Sequence, residues 1–260
     1  MKKLPILYKY KAINENTKEM IKKNIIYLPN NDQLNDPFEC KTEYYGKKNT
    51  ILRIIYFYKI SKEDQNDKKL IEHIRFALSA IKPDKEREMN AIKKVNDYYK
   101  ESIEKAGIGA FTKQSDNILM WSHYANNHGG ICMQFDFNKD PVFSEDPFWK
   151  VKYKRKYPKI NLYGFGPERK YKKGLLTKAK IWKYENERRI VWKDGHGKQK
   201  INPETLTGII FGCKIDKKEK SEIREILLKR NYDINIYQAS IDVHNYKLNI
   251  VFEESIKNNK

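Results

Sequence analysis

Apolar residues fall first in two short runs, at 6–10 and 25–28, on either side of a polar stretch at 14–23. The runs predict strands. The stretch between them predicts a helix, with Met20 and Ile21 as its apolar contacts and Asn24 where Gly or Asn commonly follows a helix. Pro29 and the run Asn30-Asn31-Asp32 close the second strand, and Asp36 before Pro37 is biased away from helix, so 34–39 reads as an ordered turn. The segment from about 50 to 105 is charged and free of Gly. Leu70, Ile71, Ile74, Ala77, Leu78 and Ile81 repeat at spacings of three and four, which predicts an amphipathic helix ended by Pro83. Residues 86–105 predict another, with Met89, Ile92, Val95, Tyr99 and Ile103 on one face and Gly107 as its stop. The run at 51–60 is read as helix rather than strand.

Beyond 107 the spacing changes to an alternation of short strands and helices. Strands are predicted at 108–112, 131–137, 149–153, 189–192, 209–211, 234–237 and 246–252. A helix capped by Ser115 or Asp116 runs through Trp121 to Ala125 and stops at Gly129-Gly130. Residues 175–184 form a helix or turn, and 216–229 a helix with Ile223, Ile226 and Leu227 inward. No repeat or linker interrupts the chain. The pattern predicts one α+β domain over 1–260, built on a central mixed or antiparallel sheet, with a helical insertion at about 50–105.

Composition adds bounds. Aromatics make up 13% of the 260 residues, far more than disordered chains carry. Cys40, Cys132 and Cys213 are odd in number and far apart, which excludes a disulfide scaffold and a paired-cysteine zinc cluster. No apolar run approaches the roughly 20 residues of a membrane span. The apolar part of the N-terminus stops at Leu7, too early for a signal sequence. A cytoplasmic protein with no membrane partner is expected.

Fifty-three Lys and Arg face 34 Asp and Glu, a net charge of +19. Forty-four of the 53 are Lys, and Asn and Ile are abundant, which is what an AT-rich genome produces without selection for binding. The field still attracts polyanions, so nucleic acid is the expected partner of the basic surface. No sequence-specific DNA- or RNA-binding signature is present.

Three segments mix polar, aromatic and apolar residues too densely for ordinary surface: 34–39, 118–130 and 182–189. In the second, His123 and Tyr124 next to a Gly-Gly turn line a cleft, or else Trp121 and Tyr124 fill core and His123 hydrogen-bonds locally. His123 and His128 are five apart and do not align as ligands on one helix face, so no metal is expected there. In the third, an extended chain would put Glu185, Glu187 and Arg189 in one row, as a catalytic pair or an ion-pair network. Cys132 sits in an apolar strand, where a thiol is inert. There is no nucleophile elbow, phosphate loop or dinucleotide fingerprint. A carboxylate cluster of Asp36, Glu39 and Glu187 is a further arrangement that no spacing compels.

With these motifs in order, the chain resembles an uncharacterised bacterial family of unknown function. The resemblance rests on Leu7-Tyr8-Lys9-Tyr10, Leu34-Asn35-Asp36-Pro37-Phe38-Glu39, residues 117–125 with 128–132, Trp182-x-x-Glu185-x-Glu187-x-Arg189, and Ile209-Ile210-Phe211-Gly212-Cys213. Arg188 stands where that family has an aromatic residue. The motif order looks like that of a divergent ADP-ribosyltransferase.

That likeness implies an ADP-ribosyltransferase-like fold, NAD as substrate, no metal, and a role as a toxin or phage-defence effector modifying nucleic acid or protein. An antitoxin or other defence-system protein would be a partner. It implies Tyr8 or Lys9 at the first strand position, where relatives carry His or Arg. Tyr27 and the turn through Asp36 and Phe38 would flank the nicotinamide. Trp121, His123, Tyr124 and Arg189 would shape the pocket. Glu187 would be the catalytic acid and Glu185 a second acid, stabilising an oxocarbenium-like ribose. Two other readings stand beside it: a non-catalytic nucleic-acid-binding or regulatory module, and a metal-dependent nuclease using Asp36, Glu39 and His123.

Overall fold

A computed structural model describes residues 3–45, 85–143, 148–161, 172–192 and 195–257, together with positions 51, 54, 55 and 58. Those four isolated positions are helical, as read for 51–60, and the helix read over 70–81 lies outside the described residues. In chain order the elements are β1 (Leu7–Lys11), α1 (Glu15–Lys23), β2 (Ile25–Leu28), β3 (Glu43–Tyr45), α2 (Lys85–Lys105), β4 (Gly107–Thr112), α3 (Ile118–Tyr124) and β5 (Ile131–Phe135). There follow β6 (Phe148–Lys150), β7 (Lys152–Lys154), β8 (Lys159–Asn161), β9 (Thr177–Ala179), β10 (Glu187–Trp192), β11 (Gly197–Lys200), β12 (Leu206–Phe211), α4 (Lys217–Leu228), β13 (Ile234–Ile241) and β14 (Leu248–Ile256).

The fold is α+β around one large mixed sheet. Eight strands run in the order β14-β13-β12-β5-β1-β4-β10-β6. Only β12 and β13 pair in parallel, joined through α4; every other neighbouring pair in this sheet is antiparallel. Three two-stranded ribbons, β2 with β11, β3 with β8 and β7 with β9, lie beside it. No helix among the described residues is long and apolar enough to cross a membrane.

Both faces of the sheet are covered, which is why β5 and β12 read as near-continuous apolar runs. One face packs Leu7, Phe111, Phe135, Ile209 and Phe211 with Met20 and Ile21 of α1 and Ile223 and Leu227 of α4. The other packs Tyr10, Cys132, Ile210 and Ala239 with Trp121 and Ala125. Caps set the helix ends. The Asn14 side chain accepts from Thr17 N, and Asn24 ends α1 in the left-handed conformation. Asp216 caps α4 through Lys218 N and Glu219 N.

The cap of α3 is Asn117, not Ser115 or Asp116; its Oδ1 accepts from Met120 N at 3.2 Å. Three successive left-handed residues, Asn126, Asn127 and His128, then turn the chain into β5. The turn is tight: a Cβ on Gly130 would stand 2.3 Å from Lys11 O, so only glycine lets the backbone pass the end of β1. The strand read at 149–153 is two strands. Val151 is buried between them, with β6 on the main sheet and β7 on a ribbon.

β1 and β4 share a single register pair, Tyr8 with Thr112, whereas β1 and β5 share five. Beyond Tyr8 the ladder between β1 and β4 is not made. Lys9 Nζ donates to Ala110 O at 2.8 Å instead, satisfying a β4 carbonyl with a side chain. This split in the middle of the sheet is where the candidate site lies.

Candidate functional site

A cavity of about 220 Å³ occupies the split. Tyr8, Lys9, Tyr10 and Lys11 line one side and Ala110, Phe111 and Thr112 the other, with Glu39, Lys178, Glu185, Glu187 and Arg189 on its wall. Strand periodicity puts Glu187 and Arg189 on one side of β10. Glu185 arrives differently from the extended row expected of it. Residues Lys180–Glu185 form a 3₁₀ turn ended by left-handed Asn186, and the turn swings Glu185 to the same cavity.

The acids are held by two buried cations. Arg189 Nε donates to Glu187 Oε1 at 2.6 Å and Nη2 to Glu187 Oε2 at 3.1 Å; Nη2 also pairs with Glu39. Its Nη1 donates to Leu175 O at 2.7 Å, so the whole fork is used. Lys178 Nζ lies 2.5 Å from Glu185 Oε2, 3.0 Å from Glu39 Oε1 and 3.3 Å from Glu187 Oε2. Tyr124 donates to Glu185 Oε1 at 2.5 Å and accepts from Asn35 Nδ2 at 2.9 Å. Glu187 N donates to Tyr153 Oη at 2.8 Å.

Burial would raise the Glu187 carboxyl, but Arg189 and Lys178 outweigh it and hold the group below the ordinary range. Glu185 goes the other way: burial dominates and raises it despite Lys178 and Tyr124. Two carboxylates two residues apart are thus pushed in opposite directions, a feature that active sites share with structural ion networks. Three carboxylates against two cations leave the cluster one negative charge.

Lys9 has no carboxylate within ion-pair distance among the described residues. Burial, aided by the charge of Lys11, brings its amine down to about 7, with Glu187 acting in the other direction. In an unfolded chain the same amine titrates near 10.5. Between those values the unfolded chain binds the extra proton, so this group makes the folded protein more stable as pH rises from about 7 toward 10. The difference in denaturation midpoint between wild type and Lys9→Met is expected to move in favour of the wild type as pH rises across that range.

Tyr8, Lys9, Tyr124, Glu185, Glu187 and Arg189 meet at the cavity as the sequence reading expects. The other expected residues lie outside it. Trp121 is fully buried, edge-on to Tyr10 at 5.2 Å, and donates to Ser115 O. It fills core behind the cavity wall. His123 stands among Tyr124, Trp182 and Tyr184 on the outer side of α3. Tyr27 donates to Gln33 Oε1. Asp36 is buried and accepts from Phe38 N, fixing the turn that delivers Glu39. Phe38 projects outward, 60% exposed.

The pairing of Glu39 with Arg189 and the whole role of Lys178 were not legible: one lysine among 44 carries no signal. Asp36, Glu39 and His123 do not converge, and among the described residues no group of three His, Cys, Asp or Glu is arranged to hold a metal ion. Lys178 Nζ stands among the three carboxylates in the position a divalent cation would take.

Comparison with known proteins bears on one part of this arrangement. Residues 120–190 match the model of a family described as a protein of unknown function (DUF2971). The matched span carries Tyr124, Lys178, Glu185, Glu187 and Arg189, and it leaves out β1 and Glu39. No curated protein and no solved structure matches the chain.

Proposed function

We propose that the protein is an ADP-ribosyltransferase-like enzyme that breaks the bond between nicotinamide and ribose in NAD and passes ADP-ribose to nucleic acid or protein. The observation that carries this reading is the buried carboxylate cluster Glu39–Glu185–Glu187, held in place by Lys178 and Arg189 on the wall of a small cavity that Tyr8 and Tyr124 also line. A fixed negative charge in a partly dehydrated site stabilises a ribose that develops positive charge. The half-buried ring of Tyr8 at the cavity wall suits a flat heterocycle. At about 220 Å³ the cavity is smaller than the roughly 300–1,000 Å³ of common ligand sites. It therefore takes the nicotinamide-ribose end, and the adenylate stays outside.

Glu187, expected as the catalytic acid, is clamped by both Nε and Nη2 of Arg189, which suits it to positioning; the contact with the reacting ribose is therefore assigned to Glu185, which is held by Lys178 and Tyr124. Incubation with labelled NAD, with and without total RNA, DNA and lysate, tests the reading. Release of nicotinamide supports it, and label on one acceptor fraction identifies the acceptor. A folded sample that neither releases nicotinamide nor transfers label overturns it. Toxicity or a defence role follows only with that activity, and growth of bacteria expressing wild type beside Glu185→Gln measures it.

A further inference from the structure

A second concavity, about 610 Å³, opens beside the acid cluster between the turn carrying Phe38 and the segment that follows β7. Lys178 lines both spaces, so the groove leads to the wall of the cavity. Its lining is strongly cationic. Residues 150–159 hold six Lys and Arg and no acid, against 53 cations in 260 residues for the chain. Four of the six line the concavity, whereas a lysine excess from genome composition alone would spread evenly along the chain.

Lys154, Arg155, Lys156 and Lys159 point into this groove from one stretch of chain and Lys41 from the opposite loop. Glu43 is the only acid among the described residues of the lining, and Lys159 engages it at 3.1 Å. Lys154, Arg155 and Lys156 are exposed and make no ion pair with another described residue. Two aromatic rings stand in the same groove at unusual exposure: Phe38 at 60% and Tyr157 at 45%. Lys41 Nζ lies 5.5 Å from the centre of the Phe38 ring. Exposed rings interleaved with free cations are the pattern that binds a charged backbone and stacks unpaired bases.

We infer that this groove is a binding tract for single-stranded nucleic acid, with Phe38 and Tyr157 as stacking platforms and Lys154, Arg155 and Lys156 on the phosphates. A duplex hides the base faces that the rings would meet, and a lipid surface does not fit a concavity. That the tract delivers an acceptor to Glu185 rests on the ADP-ribosyl-transfer reading; the binding itself does not.

The test uses the full chain and labelled 12-nucleotide RNA, the same DNA single strand, its duplex, and anionic phospholipid vesicles, each across a salt series. Lys154→Gln/Arg155→Gln/Lys156→Gln is expected to lower the slope of log K against log salt by about 2, since each phosphate contact on a single strand contributes about 0.7. Lys217→Gln/Lys218→Gln/Lys229→Gln, an equal change of charge on exposed positions at and beside α4, is expected to leave the slope alone. Phe38→Ala is expected to weaken binding roughly tenfold with no change in slope. Binding of RNA, of DNA or of both supports the tract and names its polymer.

Equal losses in the two triple variants would overturn the tract in favour of diffuse charge. Duplex or vesicles bound as tightly as single strands would overturn it too. Nicotinamide release, measured without any polymer, separates the two readings: its failure with groove binding intact removes the transfer reading and leaves the tract standing.

Discussion

Replacing Arg189 by Met is expected to destabilise the protein by about 3–5 kcal/mol, the range for removing one partner from a buried ion pair. Arg189 is a fully buried guanidinium, and its fork meets Glu187, Glu39 and the Leu175 carbonyl. Methionine keeps some of the volume but leaves two carboxylates facing Lys178 alone. They must then protonate or draw in water, and either response costs stability at neutral pH. Adding Glu187→Met to Arg189→Met is expected to recover part of the loss, because the second change removes a charge that the first orphaned. Urea denaturation of the two single variants and the double variant measures the coupling. A loss below about 1 kcal/mol for Arg189→Met would mean that water already shares the load. Strict additivity would mean that the two groups do not act together.

Changing Glu185 to Gln is expected to reduce nicotinamide release from NAD by about 10²–10³-fold, the usual effect of removing one electrostatic stabiliser of the transition state. The amide keeps the shape but can accept from Tyr124 or from Lys178, not from both, so a modest loss of stability is expected beside the loss of rate. Glu187→Gln is expected to lose more stability, since it weakens the two-point hold on fully buried Arg189. The contrast separates a residue that meets the ribose from one that positions its neighbours. Equal activity in Glu185→Gln and wild type would remove Glu185 from the reaction. A variant inactive only because it unfolds would show in its circular dichroism.

The chemistry of this site was partly legible along the chain, and the reasons differ by residue. Glu187 and Arg189 stood out because a spacing of two on a strand puts side chains on one face. Tyr124 stood out as a polar aromatic on a short apolar helix. Glu185 drew attention for the right neighbourhood by the wrong geometry: a left-handed Asn186 breaks the extended row, and a 3₁₀ turn restores the meeting. For Trp121 the structure decides between the two readings that the sequence leaves open, cleft or core. It sits in a dense motif, yet its ring is core, with only its indole N–H spent on Ser115 O. Lys178 was invisible because nothing in its local sequence separates it from other lysines.

Local chemistry determined much by itself. Apolar periodicity placed α1, β2, α2 and α4 within a residue or two, because an amphipathic face or a short apolar run fixes the period of the backbone that can bury it. The same patterning required an α+β chain with a substantial core. Tertiary structure alone decided which strands would meet and where they would part. The ladder between β1 and β4 stops after Tyr8, and Lys9 takes the Ala110 carbonyl that the ladder leaves free. Register between strands is set by packing across the sheet, a property of pairs distant in sequence that no local pattern records. The density of the motifs pointed to a site. The split in the sheet turned it into a cavity, with Glu39, Lys178 and Arg189 drawn from far-apart segments to hold its charge.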